Sequence, residues 1–128
     1  MAKNYANAVI YKIFCKDDNI KDIYIGETTD FTRRKYAHKI NSEIQKHTYK
    51  SSYSVLYSTI NLNGGWDNWD IEIIEKYPCD NKKEILLREG YWIMELNASL
   101  NTNVNRSRKE YEKQWYDEHR EQVREKQN

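Results

Sequence analysis

Two runs of β-branched and aromatic residues, 8–15 (AVIYKIFC) and 22–27 (DIYIGE), lie only six residues apart. Strands this close in sequence pair antiparallel, because a parallel return needs a crossover of roughly a dozen residues or more. The polar stretch Lys16-Asp17-Asp18-Asn19-Ile20-Lys21 between them is the turn. Centred near Asp17-Asp18, it sets Tyr11 and Tyr24 nearly opposite each other on one face of a hairpin.

Thr28-Thr29-Asp30 then offer N-cap oxygens, and Phe31, Ala37, Ile40 and Ile44 follow at near-helical spacing, predicting an amphipathic helix over 31–47. Leu56 and Ile60 predict a short helix within 51–62, ended by Asn63-Gly64-Gly65. Alternation through Ile71 and Ile73 predicts a third strand over 69–77, stopped by Pro78. Asn81 and Glu84 make a capping-box pattern that opens a helix over 82–97. A short extended piece at 99–103 follows. The order β-β-α-α-β-α defines an α/β (α+β) domain over 1–105, a small three-stranded, mostly antiparallel sheet flanked by helices. Beyond it, 106–128 carries seven basic and six acidic residues, with Tyr111, Trp115, His119 and Val123 recurring every four, and reads as a charged amphipathic C-terminal helix.

A mean hydropathy of −1.05 with 32% charged residues would suit a disordered chain. Eleven Tyr and four Trp, against one Pro and four Gly, oppose that, because amphipathic rings build a core while scoring as polar. Cys15 and Cys79 lack C-x-x-C spacing and read as reduced thiols of an intracellular protein. No run approaches the ~20 apolar residues of a membrane span, so a soluble chain without membrane contact is expected. A net charge of +1 argues against coating nucleic acid by bulk charge. The charge is uneven, however: Arg33, Arg34, Lys35, Lys39, Lys46 and Lys50 meet only Glu43 over 33–50, a local +5 that suits a phosphate-facing surface.

Within this frame a few residues suggest chemistry. Arg34 and His38 are four apart and project together from the first helix. Glu89 interrupts the apolar stripe of Ile85, Trp92 and Leu96, where a carboxylate needs a partner, a proton or a metal. Asn101 and Asn103 follow that helix in a short irregular piece. Each feature alone has an ordinary structural reading: a cross-strand aromatic pair, a solvated basic face, a stripe-edge carboxylate, a backbone turn. Together they make a phosphodiesterase set. One carboxylate can hold a Mg²⁺ whose other ligands are waters and phosphate oxygens. A guanidinium can neutralise the scissile phosphate, and a tyrosine with its pKa lowered by nearby cations can accept a proton from the attacking water.

At these residues the chain resembles the GIY-YIG endonuclease superfamily. The first motif stands as Val9-Ile10-Tyr11, with Val9 where Gly is usual, and the second as Tyr24-Ile25-Gly26. The helix motif reads Asp30-Phe31-Thr32-Arg33-Arg34 with His38 one turn on, the acidic motif Arg88-Glu89-Gly90-Tyr91-Trp92, and Leu100-Asn101 follows. The resemblance implies a general-base role for Tyr11, a site-shaping role for Tyr24, phosphate binding by Arg34 and support of the tyrosine network by His38. It implies Glu89 as ligand of Mg²⁺, which Mn²⁺ can replace, and Asn101 as the terminal asparagine, with Asn103 as the alternative. Arg33, Lys35, Lys39, Lys46 and Lys50 are the expected DNA-binding residues. The implied reaction is metal-dependent hydrolysis of a DNA phosphodiester to 5′-phosphate and 3′-hydroxyl ends, one nick per active site, in the manner of phage and large-virus homing enzymes. The implied partners are DNA and either a second copy of the chain or a recruiting protein. The alternatives are a non-catalytic nucleic-acid-binding module that keeps the fold, or a structure-specific repair-type nickase acting with a partner.

Overall fold

The computed structural model describes residues 4–46 and 54–101. His47, Lys50, Asn103 and the helix expected at 106–128 lie outside the described residues. Three strands, β1 (Val9–Cys15), β2 (Ile23–Thr28) and β3 (Trp69–Lys76), form an antiparallel sheet in the order β2-β1-β3. Three helices complete the fold: α1 (Phe31–Lys46), α2 (Val55–Leu62) and α3 (Lys82–Glu95). The α+β order β-β-α-α-β-α is the one the sequence predicts.

The sheet is covered on both faces, so its central strand β1 is buried on both. On one side Tyr11, Ile13, Cys15, Trp69 and Ile71 pack with Leu56 and Ile60 of α2. On the other, Ile10 and Ile25 pack with Ile85 and Ile93 of α3. Trp69 is thus a core residue, and Lys12, which alternates away from Tyr11, pairs with Glu72 at 3.2 Å.

The hairpin register departs from the expected one. Tyr11 pairs with Gly26, and Tyr24 with Ile13. The Asp17 carboxylate accepts the Asn19 N–H at 2.9 Å, and the Asp17 carbonyl accepts the Ile20 N–H at 3.0 Å. This Asx turn centres the reversal between Asp18 and Asn19, one residue later than predicted. The register therefore slips by two, which keeps every side chain on its expected face. Tyr11 and Tyr24 become diagonal neighbours, their ring centroids 6.5 Å apart.

A bulge interrupts the β1–β3 ladder: Tyr11 pairs with Ile73 but Ile10 pairs with Glu75, leaving Ile74 extra. The expected alternation ends there. Ile73 is 38% exposed, and Glu75 turns to the α3 side, where it takes both Nε and Nη2 of Arg88 and the Trp92 Nε1–H. The Arg88 guanidinium also lies over the Tyr91 ring, 4.3 Å from its centroid. This clamp fixes the turn of α3 from which Glu89 projects.

Candidate active site

Each element delivers one part of the site. Asp30 caps α1 through its carboxylate to the Arg33 N–H at 3.2 Å, and Thr28 Oγ1 accepts the Asp30 N–H at 3.0 Å. That cap sets the helix phase at which Phe31, Arg34 and His38 face the sheet. Phe31 packs edge-on against Tyr11 with centroids 6.2 Å apart. Asn81 caps α3 through the Glu84 N–H, and Glu84 reaches back to the Asp80 N–H at 2.7 Å, so the expected capping box forms with its return bond one residue earlier.

At the centre, the Tyr11 hydroxyl and His38 Nε2 are 2.7 Å apart, with Tyr11 1% and His38 5% exposed. The rings of Tyr11 and Tyr24 both approach His38, at 5.6 and 5.9 Å between centroids. On the far side of the imidazole, Nδ1 lies 2.9 Å from the Tyr57 hydroxyl of α2. Tyr57 is a site residue that the sequence did not single out. Its only signal was its place beside Leu56 on a short helix, and nothing local names its partner.

Electrostatics set the protonation states. Burial holds the Tyr11 phenol far above its ordinary range, and neighbouring Tyr24 and Glu89 add to this, while Arg34 opposes it. Tyr24 is pushed up to about 12, again mainly by burial. The expected lowering of a tyrosine pKa by nearby cations is therefore overturned: Arg34 pulls in that direction, but desolvation wins. His38 moves the other way, down to about 4, by burial and then by the Arg34 charge. Near neutral pH, Tyr11 holds its proton and His38 is uncharged.

Glu89 completes the set. Its carboxyl is raised to about 7, first by burial and then by the nearby Glu27 charge, with Lys82 and Arg34 lowering it. Lys82 itself is bound to Glu27. Neither Glu89 nor Arg34 forms an ion pair among the described residues. A partly buried carboxylate without a contacting cation fits a divalent ion whose remaining ligands are waters and substrate oxygens. Among the described residues no group of three or more His, Cys, Asp or Glu is placed to hold a metal ion together.

Asn101 sits elsewhere. Its Oδ1 accepts the Ile25 N–H at 2.9 Å and its Nδ2 donates to the Ile25 carbonyl at 2.7 Å, on the outer edge of β2. Both amide groups are thereby engaged, and Asn101 holds the middle of Tyr24-Ile25-Gly26 from outside. The basic residues of α1 divide as well. At about 100° per residue, Lys35, Lys39 and Lys46 form one exposed stripe on the His38 flank of the helix, whereas Arg33 projects from the other flank of Arg34.

These residues define a class. The GIY-YIG catalytic domain family matches residues 7–105, and the chain belongs to that family. It is a GIY-YIG nuclease. A solved structure, the catalytic domain of the homing endonuclease I-TevI, is 30% identical to it, with a TM-score of 0.58 over 73% of this chain and 92% of that one. No curated protein matched the chain. No helix of the described residues is long and apolar enough to cross a membrane.

Proposed function

We propose that the chain hydrolyses a DNA phosphodiester with the help of Mg²⁺, for which Mn²⁺ substitutes, leaving 5′-phosphate and 3′-hydroxyl ends. The observation that carries this reading is that the Arg34 guanidinium and the Glu89 carboxyl, neither in an ion pair among the described residues, both act electrostatically on the Tyr11 that is bonded to His38. Arg34 neutralises the scissile phosphate. Glu89 would hold the metal, which when bound would supply positive charge near the scissile phosphate. Tyr24 walls the site.

Because Tyr11 is protonated at rest, it serves as base only by passing its own proton on. As its oxygen takes a proton from the attacking water, its hydroxyl proton moves to His38 Nε2, 2.7 Å away and uncharged near pH 7. The resulting hydroxide attacks phosphorus, and the 3′ oxygen leaves and takes a proton from solvent.

Lys35, Lys39 and Lys46 track the phosphate backbone, with Lys50 continuing the basic run and Arg33 reaching a separate strand segment. Asn101 acts through Ile25 as a positioning residue. Residues 1–105 are the nuclease unit, and the appended segment 106–128, with seven basic residues, adds phosphate or protein contacts. One site per chain cuts one strand, so a homing-type double-strand break takes two copies or two successive nicks. Plasmid incubated with the chain is expected to be nicked in Mg²⁺, and not in EDTA or with Glu89→Ala. Equal nicking by both proteins, or nicking in EDTA, rejects the mechanism. DNA binding without cleavage across several divalent metals points instead to a non-catalytic module.

A further inference from the structure

The imidazole of His38 is held at both nitrogens, by Tyr11 from β1 and by Tyr57 from α2. A neutral imidazole has one donor and one acceptor nitrogen, and the hydrogen bond at one nitrogen decides the role of the other. Tyr11 is 1% exposed, and the hydrogen-bond partner of its hydroxyl among the described residues is His38 Nε2. A bare Nε2 can accept the Tyr11 hydroxyl proton, which favours the ring proton on Nδ1, and that tautomer in turn needs an acceptor at Nδ1. Nδ1–H then donates to the Tyr57 oxygen.

We propose that Tyr57 is a positioning residue of the nuclease: it fixes the Nδ1–H tautomer of His38 and so keeps Nε2 open to the Tyr11 proton. The proposal rests on the reading of Tyr11 and His38 as a proton pair, and extends it to a residue on a different helix. With the opposite tautomer, Nε2 would carry a proton and Tyr11 would have nowhere to send its own.

The local construction supports a set position for Tyr57. The Gln45 side chain of α1 accepts the Ser54 N–H at 3.0 Å and donates to the Ser54 carbonyl at 3.1 Å and to Ser58 Oγ at 2.8 Å. Asn61 Nδ2 donates to the Ser42 carbonyl at 3.0 Å. These bonds pin α2 to α1 on both sides of Tyr57, fixing the distance from which its hydroxyl meets the imidazole.

The test uses the full chain with ¹⁵N-labelled histidine and long-range ¹H–¹⁵N spectra at pH 7. The three histidines are assigned by substituting His47 and His119 in turn. Wild-type His38 is expected as the Nδ1–H tautomer. Tyr57→Phe, which removes one oxygen, is expected to transfer population to Nε2–H and to slow plasmid nicking about tenfold, as loss of one hydrogen bond to a reacting group does. A wild-type His38 protonated on Nε2 overturns the proposal without any variant. So does a Tyr57→Phe chain that keeps the Nδ1–H tautomer, or one that switches tautomer and nicks at the wild-type rate. Because the spectra need no DNA, a chain that switches tautomer as expected but never nicks sinks the nuclease mechanism and leaves the role of Tyr57 on His38 standing.

Discussion

Gly26 lies directly beneath the phenol of Tyr11. The two residues are partners across the β1–β2 ladder, and a Cβ built on Gly26 would overlap Tyr11 Cζ and Oη and stand 2.8 Å from Cε2. The strand glycine is thus a matter of space: it lets the ring lie flat enough for its hydroxyl to reach His38. Gly26→Ala must push the ring off its bed, and Phe31 and His38 already crowd it from α1. Overpacking of this kind costs typically about 1–3 kcal/mol. The expected result is a chain with a lowered melting temperature and nicking reduced at least as far as in Tyr11→Phe. A Gly26→Ala variant that melts and nicks like the wild type refutes the close-packing account.

Glu89 makes a second prediction, in which activity and stability part ways. Its raised pKa means that the folded chain holds a proton the unfolded chain has released, so Glu89 lowers stability as pH rises from 4.5 to about 7. His38, lowered from 6.5 to about 4, works in the opposite sense: its contribution is present above 6.5 and is lost as pH falls toward 4. Glu89→Gln removes the first effect and leaves the second. Without divalent metal at pH 8, the variant is expected to be more stable by on the order of 2 kcal/mol, with the gain shrinking toward pH 5. Millimolar Mg²⁺ is expected to raise the melting temperature of the wild type and not of the variant. Thermal melts at pH 5, 6.5 and 8 with and without Mg²⁺ check both signs, and a Gln variant less stable at pH 8 contradicts them.

The basic helix yields a third. Lys35, Lys39 and Lys46 share the His38 flank of α1, and Arg33 lies on the other flank of Arg34. Each phosphate contact contributes about 0.9 to the slope of log affinity against log salt. Neutralising the three lysines together is expected to flatten that slope by two to three units in about that scale, whereas Arg33→Ala alone changes it by one unit or less. Binding titrations on short duplex DNA at several salt concentrations separate the two. Equal effects per residue on both sides of α1 would show that DNA does not follow the lysine stripe.

The sequence carries most of this fold because its signals are local. Capping residues such as Asp30 and Asn81, period-two alternation in 8–15 and the Asn63-Gly64-Gly65 stop each need only neighbouring residues to be read. Five members of the site were legible for a related reason: Arg34 and His38 share a helix face, Tyr11 and Tyr24 a sheet face, and Glu89 breaks an apolar stripe. What escaped depends on register and on contacts between distant elements. A turn centred one residue later moved Tyr11 from opposite Tyr24 to opposite Gly26, yet preserved the face because strands repeat every two residues. The bulge at Ile74 turned Glu75 toward Arg88, which alternation alone would forbid. Tyr57 meets His38 only once α2 has docked on α1. The protonation of Tyr11 is not legible in the sequence because charge is visible there and desolvation is not.

Asn101 separates holding the site from acting in it. Its side chain imitates a strand: one acceptor and one donor meet the N–H and carbonyl of Ile25, and the preceding Leu100 N–H bonds the Ile23 carbonyl at 3.1 Å. Together they occupy the outer edge of β2, on either side of Tyr24. The chain reaches this edge because Asn97, two residues past the end of α3 at Glu95, reverses the backbone with a φ of 49°. Asn101→Ala leaves both Ile25 groups without their partner, at a cost of about 1–3 kcal/mol. Asn101→Asp keeps the acceptor and loses the donor, so it should fall between wild type and Ala in melting temperature. If Asn101 only positions β2, nicking at 15 °C, well below the melting transition, should recover most of the wild-type rate in both variants and fail sooner on warming. A rate that stays a hundredfold down at 15 °C in a folded Asn101→Asp chain would instead put Asn101 among the groups that touch the reacting atoms.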